Sequence, residues 1–345
     1  MSGNGRRVTA AMVAAHAGTS VSTVSLVVNG KARGRVSETI ADRVRRSVSE
    51  LGYVVDHAAS SLARGRSDLV VLLAPDLPNP FFGDVVAGVR AGLGERYHLM
   101  LSTPAGTGTQ PAAEDVARVA ALRPTGLLVH APSPSLLDDL SPDGPPLVLL
   151  DARAPGHDAV TFDFGPGVDA LLTHLAALGH RRIAYLDGTT PSATFAVRRE
   201  LLASRAGAHG LTVLGDEVRA DVTLDAAADT AVGALPRWLD DGATAVVAAA
   251  DTLAYGVLAA AARLGLAVPD DVSVAGFDDL PYSQITAPAL TSVGLPGHAL
   301  GRAAARRLTA VLDGDDAAPP VSPIARLAVR HSTAPPPGSG DGAAS

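Results

Sequence analysis

From residue 69 onward, short apolar runs alternate with longer, alanine-rich stretches. The runs are LVVLLAP (69–75), GLLVHAP (126–132), PLVLLD (146–151), AVTFDF (159–164), RRIAYLDG (181–188), TAVVAAAD (244–251) and DVSVAGFDD (271–279). Most are apolar without period-two alternation, as strands covered on both faces should be. With helical stretches between them they predict a doubly wound, largely parallel α/β sheet. So many strands are unusual in one sheet, and two lobes are expected. Ligands in such folds sit beyond the carboxyl ends of the strands, so the residues just after each run are the binding candidates.

The first 67 residues have a different pattern. Thr9 can cap a short helix, AAMVAAH, in which Met12, Val13 and His16 follow helical spacing. Ala17-Gly18-Thr19 breaks it, and Ser20 can cap a second helix over 21–28. After a loop at Gly30–Gly34, a third helix over 37–51 turns Ile40, Val44, Val48 and Leu51 inward and Arg43, Arg45 and Arg46 outward, and Gly52 ends it. Residues 56–64, DHAASSLAR, are too short to hold a helix unaided. The tail STAPPPGSGDGAAS has the composition of a disordered segment. The expected organisation is a helical unit (1–55), a linker (56–67), an α/β unit (68–334) and a tail (335–345).

Charge sharpens the division. Residues 1–66 hold ten Arg and Lys against four Asp and Glu, whereas the remainder holds 18 against 31. A small cationic module thus precedes a large anionic one, and the first partner this suggests is nucleic acid. A solvated charged surface would read the same way. The 345 residues contain no cysteine, which excludes disulfides, thiol catalysis and cysteine-ligated zinc and is compatible with a reducing cytoplasm. Neither an apolar run of about 20 residues nor a leader pattern is present, so a cytoplasmic protein is expected rather than a secreted or membrane-bound one.

Helix, glycine turn and second helix at this spacing form a helix-turn-helix pattern, although an ordinary helical hairpin shares it. Small hydroxyl residues suit a helix that must come close to a phosphate backbone. Ser20, Thr23 and Ser25 can donate to phosphate oxygens, while Val24, Val27 and Val28 can face the bundle.

The segments VTAAMVAAHAGTSVSTVSLVVNG, VSETIADRVRRSVSELGYV, PDLPNPFF, LGHRRIAYLDG, VSVAGFDDLPYSQITAPALTSVGLP and VRHSTAP, in this order over residues 8–334, resemble the LacI/GalR family of bacterial transcription repressors. The resemblance implies an N-terminal helix-turn-helix bundle, a hinge helix and a two-lobed effector domain of the periplasmic-binding-protein-like type. It also implies a homodimer on a near-palindromic double-stranded operator, with a small molecule, a sugar or related metabolite, controlling DNA affinity. By position, Val21, Ser22 and Leu26 fall where the family reads bases, and Ser20, Thr23, Ser25 and Asn29 where it grips phosphates. Ala59 and Leu62 fall where a hinge helix enters the minor groove. Phe81, Phe82, Asp151, Phe162, Thr194, Arg198 and Asp278 fall where the family lines its pocket. The chain departs from the family at Leu26, commonly Arg, and at Met12, Val55 and Asp56, usually Asp, Pro and Asn. It departs again at Ala250 and Val222, where many members carry Asn or an aromatic.

Two rival readings have sequence support. GPGVDA (165–170) follows a strand, opens a helix and has Asp187 about 20 residues on, the dinucleotide fingerprint, but Pro166 removes an N–H that would meet pyrophosphate. A solute-binding protein without DNA function would leave residues 8–62 unexplained. No G-x-S-x-G elbow occurs, and the ten histidines, His130, His174, His180, His209 and His298 among them, show no metal-ligand spacing and read mostly as surface or capping residues. No enzyme activity, cofactor or metal is expected.

Overall fold

In the computed structural model, residues 8–28, 30–53, 67–75, 79–104, 110–140, 144–214, 217–315 and 321–338 are described. The chain divides into two compact units, Met1–Ser67 and Asp68–Ser345. Asn29, Val55, Asp56, Ala59 and Leu62 lie outside the described residues.

The first unit contains helices α1 (Ala10–Ala17), α2 (Val21–Val28) and α3 (Glu38–Leu51). Thr9 caps α1 by accepting from the Met12 amide, and Gly18 ends it in the left-handed conformation at φ 61°. The chain then turns by 103° into α2, the geometry of a helix-turn-helix. Ser20 caps α2, its Oγ accepting from the Thr23 amide at 3.1 Å. Val13, Ala14, Ala17, Val24 and Val44 form the buried centre, with Val27, Val28, Ile40, Val48 and Leu51 packed around it. Arg43, Arg45 and Arg46 are exposed, as the 3.6-residue period requires. Sequence reasoning did not foresee the polar clasp between α1 and α3, in which His16 Nδ1 lies 3.0 Å from the Ser47 hydroxyl.

The second unit is two-lobed. In the N-lobe, β1 (Leu69–Leu73), β2 (His98–Ser102), β3 (Gly126–His130), β4 (Leu147–Leu150) and β5 (Asp158–Val160) form a wholly parallel sheet in the order β2-β1-β3-β4-β5. Helices α4 (Pro80–Leu93), α5 (Ala113–Ala120) and α6 (Pro134–Asp139) accompany it. Val70 and Leu72 enter one core and Val71 and Leu73 the other, which is why β1 reads as an unbroken apolar run.

The C-lobe begins with α7 (Gly165–Leu178), followed by β6 (Arg182–Gly188), α8 (Ala193–Ala206), β7 (Thr212–Val213), β8 (Val218–Ala220) and α9 (Leu224–Asp240). It continues through β9 (Ala245–Ala248), α10 (Asp251–Arg263), β10 (Ser273–Asp278) and β11 (Thr291–Gly294). After α11 (Gly297–Asp313) comes β12 (Arg326–Ala328), the antiparallel edge of the sheet β12-β11-β10-β9-β6-β7, with β8 also pairing β6.

The chain crosses between lobes after β5 and on either side of α11. Although α11 follows a C-lobe strand, it packs on α4 of the N-lobe, and Arg307 Nε donates to Asp158 at 2.7 Å. Glycines make that seam possible. A Cβ on Gly88 would lie 2.1 Å from the His298 carbonyl oxygen, and one on Gly301 2.1 Å from that of Val85. The fingerprint glycine Gly167 plays a similar packing part, because a Cβ there would stand 2.6 Å from Val293.

The structure corrects the sequence reading at two places. The tail does not lose order at its first residues: Ser332 is fully buried, accepting from the Thr291 amide at 2.8 Å and donating to the Val274 carbonyl. His130 and His180 are interior residues, at 3% and 0% exposure, and not surface ones.

One chemical change should therefore have opposite effects at two helical glycines. Gly88→Ala should lower stability by about 2 kcal/mol or more through overpacking. Gly233→Ala, with nothing within 4 Å, should raise it by about 0.5–1 kcal/mol. Urea unfolding of both variants checks this, and equal effects would refute the close α4–α11 seam.

Candidate effector cleft and nucleic-acid interface

On α2, Val24 is buried against the bundle, whereas Ser20, Val21, Ser22 and Ser25 are exposed. Val21, one of the few large exposed apolar side chains of the unit, is 49% exposed. Thr23 and Leu26 are half-buried at the margin. The hydroxyls of Ser20 and Thr23 lie 2.9 Å apart, which fixes both at the start of the helix. The candidate residues at positions 20, 21, 22 and 25 thus share one open surface, with a valine face behind it and no acidic residue in the first turn.

The carboxyl ends of the strands meet in the second unit. Ala131, Asp151, Asp278 and Asp279 follow or end β3, β4 and β10, and all four adopt positive φ, at 43°, 57°, 108° and 56°. Non-glycine residues seldom tolerate this, and such residues cluster at functional sites. On the N-lobe side, Asn79 caps α4 by accepting from the Phe81 amide at 3.0 Å, which sets Phe81 and Phe82 at its first turn. Phe81 lies 6.1 Å from Phe162 and 5.8 Å from His130, and Phe82 lies 5.2 Å from His130. Phe162 continues to Phe164 at 5.7 Å.

The C-lobe supplies the polar groups. Arg198 of α8, 3% exposed, donates to Asp278 at 2.9 Å and to the Ala249 carbonyl. Its guanidinium also lies 5.2–5.7 Å from the rings of Phe164, Phe195 and Phe277. Thr194, at the start of the same helix, donates to Asp151 of the N-lobe, so one hydrogen bond spans the cleft. Nearby, Arg199 pairs with Asp187, the acid of the dinucleotide fingerprint.

All seven candidate pocket residues are therefore in one place, and the polar ones bond to one another. Sequence reasoning missed three members. His130 has neither ring nitrogen partnered, and burial pushes it down to about 3. Its polar presence inside an apolar run was the available signal. Phe164 joins the aromatic wall. Asp251 is wholly buried and accepts from the Leu280 amide (2.8 Å) and the Ser283 and Ser292 hydroxyls (2.6 Å each). Ala250 beside it is buried and offers no side-chain cap. Val222 is partly buried against the core.

Burial raises Asp151 to about 6 against the pull of Thr194 and Arg198, and burial together with Asp278 raises Asp251 to about 7. The native state therefore binds more protons than the unfolded chain between the ordinary carboxylate value near 3.8 and these values, so stability falls as pH rises from about 4 to 7. Asp151→Asn should flatten that fall, by up to about 3 kcal/mol. Denaturant unfolding at a series of pH values checks it, and identical pH profiles would contradict the assignment.

Comparison with known proteins bears on both units. Residues 9–56 match the model of bacterial regulatory proteins of the lacI family, and residues 172–333 match that of the periplasmic binding protein-like domain. The HTH-type transcriptional regulator MalR of Streptomyces coelicolor is 33% identical, covering 94% of this chain and 96% of the relative. The regulator CelR of Thermobifida fusca is 32% identical over 91% of this chain and 94% of its own. A CelR–cellobiose complex superposes with a TM-score of 0.63 at 29% identity, over 94% of this chain and all of that one. A lac repressor dimer bound to operator and the anti-inducer ONPF shares the fold at a TM-score of 0.81, with 24% identity over 95% of this chain and all of that one. By an N-terminal match that falls on the helix-turn-helix, and by relatives aligned along nearly its whole length, this chain belongs to the lacI family of bacterial regulatory proteins.

Proposed function

We propose that this chain is a sequence-specific DNA-binding transcription regulator, a repressor that acts in the cytoplasm as a homodimer on a near-palindromic operator. A small molecule held between the lobes controls its affinity. The observation that carries the reading is α2, with one face of valines closing the bundle and the other presenting small and hydroxyl residues at 103° to the preceding helix. Such a helix fits the major groove without bulky side chains holding it off the phosphates.

In this reading Val21, Ser22 and Leu26 meet base edges, while Ser20, Thr23, Ser25 and Asn29 hold phosphates. Leu26 offers no bidentate contact to guanine and favours an apolar one, such as a thymine methyl. Ala59 and Leu62 enter the minor groove at the operator centre. Phe81, Phe82, Asp151, Phe162, Thr194, Arg198 and Asp278 hold the effector, and CelR, a relative with a cellobiose complex, supports a sugar-like one. The site does its work by binding alone and requires no cofactor. The fingerprint glycine Gly167 serves helix–strand packing, which disfavours the dinucleotide alternative.

The test is binding to operator variants. Ser22→Ala and Leu26→Ala should change sequence preference, whereas Thr23→Ala should weaken binding to every sequence alike; unchanged preference in both base-facing variants would defeat the assignment. Wild-type log affinity should also fall with log salt by about 0.9 for each phosphate neutralised. A flat salt profile would contradict phosphate contact.

A further inference from the structure

We infer that Asp251, Ser283 and Tyr255 form a proton relay through which pH controls the Arg198–Asp278 pair and the backbone that follows it. The relay stands on the C-lobe alone, whereas its consequence for DNA affinity rests on the regulator reading proposed above.

Three carboxylates meet where β10 ends, and two guanidiniums answer them. Arg198 of α8 bonds to Asp278 at 2.9 Å, and Arg330, beyond β12, bonds to Asp279 at 2.6 Å. Asp251, the first residue of α10, is wholly buried and accepts from one amide and two hydroxyls; among the described residues no cation pairs with it. The chain crowds it closely, since a Cβ on Gly276 of β10 would overlap Asp251 Oδ1. Of the other elements packed there, α9 sets Ala227 against Gly256 of α10, and β11 supplies the Ser292 hydroxyl. A buried charge without a counterion is the costly member of such a set, and taking up a proton relieves it. Burial first, and then Asp278, raise Asp251 to about 7. Burial lifts Asp278 too, but Arg198 pulls against it and keeps its charge.

The hydroxyls give that proton a route. Ser283 Oγ lies 2.6 Å from Asp251 Oδ2 and 2.7 Å from the Tyr255 hydroxyl, and Tyr255 is only half-buried. With Asp251 ionised, Tyr255 donates to Ser283 and Ser283 donates to Asp251. With Asp251 neutral the direction reverses: the proton on Oδ2 is donated to Ser283, and Ser283 donates to Tyr255. Each hydroxyl gains one proton as it gives one, so a proton reaching Tyr255 from solvent arrives at Asp251 without moving a heavy atom. Burial and the neighbouring carboxylates keep the phenol itself protonated. The charge on Asp251 is then felt in two ways. Ionised, it strengthens the bonds from the Leu280 amide and the Ser292 hydroxyl, and it repels Asp278. Ser292 in turn accepts from the Asp279 amide at 3.0 Å, which ties the backbone after Asp278 to the same carboxyl.

The experiment compares the full-length protein with Asp251→Asn and Tyr255→Phe. In urea unfolding from about pH 5 to 8.5, wild-type stability should fall as pH rises and level off near 7, where Asp251 gives up its proton. Asp251→Asn should level off near 6, the value of Asp151. Tyr255→Phe leaves Ser283 with no acceptor for its proton when Asp251 is neutral, so its profile should level off at lower pH than wild type. A hydroxyl that served structure alone would lower stability equally at every pH. Operator affinity, measured by fluorescence anisotropy at fixed salt between about pH 6 and 8, should change by about fivefold more in wild type than in Asp251→Asn. The inference is overturned if all three proteins level off at the same pH, if Tyr255→Phe shifts stability uniformly, or if operator affinity varies with pH alike in wild type and Asp251→Asn. Should Asp251→Asn fail to fold, the Tyr255→Phe profile decides. Failure of the regulator reading shows separately, as no operator binding at any pH while the unfolding profiles differ as stated, a result that upholds the relay.

Discussion

Arg198 cannot be carried into the interior of the C-lobe without partners, and the rest of the cleft is arranged around that requirement. Removing one member of a buried ion pair typically costs about 3–5 kcal/mol, so Asp278 and the Ala249 carbonyl must stay where they are. Asp278 does so at a backbone φ of 108°, and Asp151 across the cleft at 57°. The hydrogen bond from Thr194 to Asp151 then joins the two lobes at the place where their strands end. In this state the polar groups around the cleft are hydrogen-bonded, apart from His130, the Tyr185 hydroxyl and the Nε of Arg198. In the proposed reading, a ligand entering between the lobes would compete with Thr194 for Asp151.

Small residues let these groups come together. The sequence is rich in alanine and poor in aromatics, which limits apolar area per residue but lets backbones approach closely. At the α4–α11 seam, glycines on both helices bring carbonyl oxygens to where a side chain would otherwise sit. Because α11 lies between two lobe crossings, the seam also fixes where those crossings start and end. A second contact links the crossings themselves, with Asp163 and Ile324 bridged and the Ala325 amide donating to the Asp163 carbonyl at 2.9 Å.

The helical unit was legible almost residue by residue, because a 3.6-residue period, hydroxyl caps and glycine stops all agree over 9–52. Ser37, read as the first residue of α3, is instead its cap position. Most central strands were legible because both their faces are buried, but β11, buried and central in its sheet, was not, because the four residues TSVG are too short and too polar to stand out as an apolar run. The partly exposed edge strands β2, β7 and β12 and the short β8 were not, since a few mixed residues match no period. Ser332 was misread because a composition suited to disorder also supplies hydroxyls that bond well when a sheet lies beneath. Of the cleft, the seven candidate residues sit in motifs that could be picked out, and the structure brings them together. Their pairing could not, because Arg198 and Asp278 are 80 positions apart. His130 was passed over because a lone histidine has no spacing to give it away.

The central claim is that the state of the cleft is felt at the DNA. Thr194→Val tests it without any knowledge of the effector, because it removes the hydroxyl that spans the lobes, keeps the side chain's shape, and leaves the helix-turn-helix sequence untouched. Operator affinity of the full-length variant, measured by fluorescence anisotropy at fixed salt and without ligand, should differ from wild type by about fivefold or more. An affinity within about twofold of wild type, in a variant whose thermal unfolding confirms the altered cleft, would contradict the account.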